Sequence, residues 1–78
     1  MGRYYFHIRD GRNVIPGEEG MELSDIYAAR VEAHASADDL ANEAIREGSS
    51  VAAWVIEIAD EAGNILGRVG MPEHRQLA

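Results

Sequence analysis

His7 is the residue best equipped for chemistry in this chain, because an imidazole changes charge near neutral pH and can serve as acid, base or metal ligand. It stands in the stretch RYYFHIRDG, residues 3 to 11, with Tyr5 and Arg9 two positions away on either side and Arg3 two positions beyond Tyr5. Residues two apart on a strand share a face, so Arg3, Tyr5, His7 and Arg9 make one polar and aromatic stripe. Glu57 has the same alternating surroundings in AAWVIEIAD, and from a neighbouring strand it can lie across from His7. A carboxylate beside an imidazole orients it and favours its charged form, which is the beginning of a catalytic pair. The pattern goes no further. There is no cysteine, and the serines fall at a helix start, inside a helix and in the loop after it, outside any nucleophile motif. No catalytic residue is assigned.

A metal site would need His7, His34 and carboxylates to converge, but their spacing fits no helical His-x3-His pair, zincin or calcium loop. DGRNVIPGEEG has too few alternating oxygen ligands for an EF-hand, so no metal and no cofactor is expected. Glu18, Glu19 and Glu22 in GEEGME read as a solvated acidic loop, with a contact for a basic partner as the alternative. The Arg and Tyr stripe is also similar to sheets that stack single-stranded RNA bases on aromatics. Against that stand 14 acidic residues to 7 basic ones, a formal charge of −7, which is the wrong sign for neutralising phosphates. Glu57 also falls near the centre of the same face. The reading that remains is a recognition surface for protein, made of Arg3, Tyr5, His7, Arg9, Val55 and Glu57, with nucleic acid as the alternative.

The elements that must position these residues follow from periodicity. Tyr4, Phe6 and Ile8 alternate with the stripe and point to a core, so residues 3 to 9 are a half-buried strand. Asp-Gly at 10 and 11 signals a tight hairpin turn, and a short return strand covers residues 13 to 15 before Pro16 ends it. GEEGMELSD reads as a loop leading to a helix capped by Ser24, running from about residue 25 to 47 and stopped by Gly48. Ile26, Ala29, Ala33, Ala37, Leu40, Ala41 and Ala44 form its core stripe. Tyr27, Val31 and Ile45 lie beside that stripe, as a second apolar patch on the helix flank or as a widening of the stripe. Residues 52 to 60 repeat the strand alternation, with Trp54, Ile56 and Ile58 on one face and Val55, Glu57 and Ala59 on the other. A turn around Gly63 and Asn64 leads to a last strand at about residues 65 to 69.

These elements predict an α+β domain of the ββαββ type, a four-stranded antiparallel sheet in the order 2-1-3-4 with one helix on one face. The domain covers residues 1–70, and 71–78 are expected to be a flexible tail. A chain of 78 residues buries only ~60% of the surface its unfolded form exposes, and self-association is a common support for so small a core. A homodimer is therefore expected. No stretch reaches the ~20 apolar residues of a membrane span, and the charged start lacks the apolar run of a signal peptide, so the expected setting is the cytoplasm.

RYYFHIRDG, PGEEGMELSD, AARVEAHASA and WVIEIADEAGN together resemble a family of short bacterial proteins known as a domain of unknown function. The resemblance runs from residue 3 to about 69, and Gly17 stands where its pattern has an acidic residue. It implies the hairpin-helix-hairpin fold and a bacterial cytosolic setting, and it implies no activity, substrate or cofactor. Small antitoxin-like proteins use a similar module to bind protein, which is an analogy of fold alone.

Overall fold

The computed structural model describes residues 2–72. The elements are β1 (Gly2–Asp10), β2 (Asn13–Ile15), β3 (Met21–Leu23), α1 (Ile26–Glu47), β4 (Trp54–Ala59) and β5 (Ile65–Gly70). The fold is α+β, one helix on an antiparallel sheet in the order β2-β1-β4-β5, with β3 as a further strand on β1. The sheet therefore has five strands, where the sequence pattern predicts four.

The extra strand lies in the segment read as a loop. β2 pairs Ile15 with Ile8, β3 pairs Met21 with Tyr4, and both lie antiparallel to β1. Residues 16–20 thus bridge the edge of β1 opposite Tyr5, Phe6 and His7, five residues against three. An excess of two keeps the side-chain alternation in phase, because the strand period is two. Leu23 consequently falls on the helix side and packs against the core, while Glu22 lies beside Arg3. Gly17 crosses so close to β1 that a Cβ there would sit 2.2 Å from the carbonyl oxygen of Phe6. This backbone admits no acidic side chain at position 17.

The first turn also differs in detail. Asp10 pairs with Asn13, so the two-residue loop is Gly11-Arg12, with φ +59° at Gly11 and, among the described residues, no positive φ outside glycine. Glycine at the first central position is the arrangement of a II′ hairpin, whose twist suits the flanking strands.

Asp25 caps α1, its Oδ1 accepting the Ala28 amide at 2.9 Å. The sequence pattern points to Ser24. A charged oxygen makes the stronger bond and also meets the positive end of the helix dipole. At the other end Gly48 is left-handed at φ +74°, and the amides of Gly48 and Ser49 close onto the Ala44 and Ile45 carbonyls, a Schellman stop. Ala29, Ala33, Ala37, Ala41 and Ala44 are buried along one stripe, the first three in one cluster with Ile56, Ile58 and Val69. Tyr27 and Val31 do not widen it: they are 75% and 71% exposed, and Ile45 is exposed as well. A helix lying over a sheet presents a narrow stripe, and small alanines narrow it further by letting the helix sit low. Met71, placed in a tail by its lack of periodicity, packs against the core. Pro72 beside it is half-buried, and residues 73–78 of that expected tail lie outside the described residues.

Candidate functional site

The strand register assembles the candidate residues on the sheet face away from α1. Tyr5 pairs with Ala59, His7 with Glu57 and Arg9 with Val55, and paired residues project to the same side. β5 adds Ile65 beside Ala59, Arg68 beside Glu57 and Gly70 beside Val55, and β2 adds Val14 beside Arg9. Arg3, Tyr5, His7, Arg9, Val55 and Glu57 thus share one face with Arg68. His34 does not join them, being exposed on the helix in the opposite layer.

Glu57 organises the centre. It is 3% exposed although no secondary-structure layer covers this side. Arg9 donates Nε to Oε2 at 3.0 Å and Nη2 to Oε1 at 3.4 Å, and Arg68 donates Nε to Oε2 at 3.0 Å. The side chains of the two arginines remain 44% and 64% exposed, their stems folded over the carboxylate and their ends in water. The Arg9 hydrogen bond above all holds the Glu57 carboxyl below the usual carboxylate range, against a burial effect of opposite sign, with Arg68 adding to the lowering. The cluster carries a net charge of +1.

The expected interaction between His7 and Glu57 does not form, although the two lie directly across from each other. The carboxylate is committed to arginines, and His7 Nδ1 accepts the Gly17 amide at 2.9 Å. An accepting Nδ1 places the proton of a neutral imidazole on Nε2. The same contact ties the 16–20 bridge to the open side of the β1 edge. Arg3 Nη1 donates to the Glu19 carbonyl at 2.9 Å, and a Cβ on Gly20 would come within 2.8 Å of the Tyr5 ring and the Arg3 stem. Glu18 and Glu19 are therefore carried along one margin of the face, exposed.

Arg68 is the member of the cluster that the sequence pattern does not point to. Ala59 pairs with Ile65, and continuing that register would set Glu57 against Gly67 and Arg68 on the helix side. A bulge between Ile58 and Ala59 advances β5 by one residue and brings Arg68 to Glu57 instead. The available signals were glycine in the strand, a common mark of a bulge, and an arginine otherwise aimed at the core. The hairpin is anchored at its turn by Asp60, whose carboxylate accepts from the Ala62 and Asn64 amides and the Asn64 side chain. These bonds, Asn64 foremost, lower its pKa.

Among the described residues no group of three His, Asp or Glu side chains is placed to hold a metal ion, and no helix is long and apolar enough to cross a membrane. The fold and site define a two-layer α+β domain whose second sheet face is closed by an Arg-Glu-Arg cluster. The chain belongs to the family DUF6894, a domain of unknown function, whose sequence profile matches residues 3–72. No curated protein and no solved structure matches it.

Proposed function

We propose that this chain is a non-enzymatic protein-interaction module of the bacterial cytoplasm that self-associates, its open sheet face meeting the same face of a second copy. The observation that carries this reading is the distribution of charge. Arg3, Arg9 and Arg68 stand on the open face of a chain whose net charge is −7, and the acidic residues Glu18 and Glu19 border it. Such a face is complementary to its own margin. Tyr5, Val14, Val55 and Ile65 supply apolar area around the arginines, and a centre of aromatic and arginine side chains bordered by charge suits a protein interface.

The pairing that catalysis would need is absent, since His7 Nδ1 accepts a backbone amide and Glu57 is held by two guanidiniums rather than by the imidazole. RNA stacking on Tyr5 is disfavoured because Gly20 lies against its ring.

Sedimentation or light scattering from submicromolar to high micromolar concentration tests the reading, with anisotropy of a labelled oligouridine at low salt as the companion measurement. The expected result is a dimer of the 8.5 kDa chain and no RNA binding. A monomer throughout the range overturns self-association, and RNA binding that falls steeply with salt makes the face a nucleic-acid platform instead.

A further inference from the structure

Resting on the reading that the open faces meet, we infer the orientation of the two copies. A twofold axis parallel to the strands, along the seam between β1 and β4, places the Glu18 and Glu19 bridge of each copy over Arg68 of the other.

The argument comes from where the charges lie along one row of the sheet. His7, Glu57 and Arg68 are in register across β1, β4 and β5, and residues 16–20 continue that row past the β1 edge, since they flank Tyr5 to His7. The row therefore begins acidic at one margin and ends basic at the other. The acidic end is raised toward the open side by the His7 and Arg3 bonds to the bridge. At the basic end, Arg68 contacts only Glu57 through Nε among the described residues, so its Nη groups are available to a partner.

Two sheets packed face to face by a twofold need the axis to lie between them, and aligned sheets keep their strands within about 30°. An axis across the strands and centred on this row sets β5 over β5 and bridge over bridge, so that guanidinium meets guanidinium and carboxylate meets carboxylate. An axis along the strands sets β5 over the bridge and β1 over β4. Arg68 then meets Glu18 and Glu19 twice by symmetry, and His7 and Arg9 lie over the Val55 and Glu57 region. Opposite charges meet in the second arrangement and like charges in the first, which decides between them.

The chain has no cysteine, so thiols can be introduced in pairs. Val14 and Gly70 lie at opposite margins of one row, through Arg9 and Val55. Val14 is exposed, and a Cβ at Gly70 meets nothing within 4 Å. The strand-parallel axis puts Val14 of one copy over Gly70 of the other, at about the 10 Å spacing of packed sheets, while within a chain three strand spacings, about 14 Å, separate them. A bismaleimide of about 10 Å reach should link the Val14→Cys/Gly70→Cys double variant into covalent dimers and leave both single variants largely unlinked.

Reversing the margin with Glu18→Arg/Glu19→Arg, which touches no buried group, should weaken dimerisation about tenfold at low salt. A dimer by mass that links no better in the double variant than in Val14→Cys alone, or that is unaffected by the reversal, overturns this orientation and leaves self-association standing. A monomer by mass in the unmodified chain overturns both.

Discussion

On the helix side of β4, Ile56 and Ile58 lie under an alanine stripe at 1% and 0% exposure, while on the other side Glu57 and Ala59 reach 3% and 1% with no layer above them. The first face is closed by apolar volume, and its stability comes from surface withdrawn from water and from close packing. The second is closed by long side chains folded onto a carboxylate, and it depends on each charge keeping its partner. Closure by packing suffers from lost volume whichever residue is cut back. Closure by ion pairing is unequal. Losing an arginine strands a buried carboxylate, whereas losing the carboxylate leaves guanidiniums that are already half in water.

The largest effect is expected on the packed face. Ile58→Ala should cost about 2 to 5 kcal/mol by denaturant unfolding, through lost transfer energy and a cavity under the helix. On the paired face, Arg9→Met should cost about 1 to 3 kcal/mol, because it removes two bonds from a buried acceptor. Glu57→Met should cost less than Arg9→Met, since it leaves no buried charge without a partner and the two guanidiniums it frees already reach water. A Glu57→Met variant less stable than Arg9→Met would erase the distinction between the faces.

Acidification should act on the paired face and on the Asp60 turn, and should spare the packed face. The Glu57 carboxyl is held below its ordinary value of 4.5, chiefly by Arg9, so its contribution is fully present above that pH and is lost as pH falls through the lowered folded value. Thermal melting between pH 6 and 2 should show an acid-limb loss that is smaller in Glu57→Gln, and an unchanged limb would remove Glu57 from the account. The smallest effect belongs to the outer side of the helix. Tyr27→Ser should change stability by no more than about 0.5 kcal/mol, because Tyr27 projects into solvent. A larger loss would mean that Tyr27 is covered in solution.

His7 adds a local measurement between these extremes. His7→Phe keeps the ring and removes the acceptor for the Gly17 amide, so hydrogen exchange should accelerate at Gly17 and in the 16–20 bridge while the β4 amides stay protected. Uniform loss of protection would place His7 with the packed core instead.

The sequence by itself determined the strands and helix with strong periodic patterns, because alternation and the alanine stripe are local expressions of which side is buried. It also placed Tyr5, His7, Arg9, Val55 and Glu57 on a common side, since the period of two needs only neighbouring residues to read. Three features depended on tertiary structure. β3 exists because β1 offers an unpaired edge that three residues after Gly20 can reach, and nothing in Met-Glu-Leu alone distinguishes that from a loop. Asp25 displaced Ser24 as the cap because the chain leaving β3 sets the helix start. Arg68 reached Glu57 through a one-residue bulge, and a shift of one residue exchanges the two faces of a strand. Local pattern decides which residues can be buried. Register across strands decides which charges meet, and register is a property of the assembled sheet.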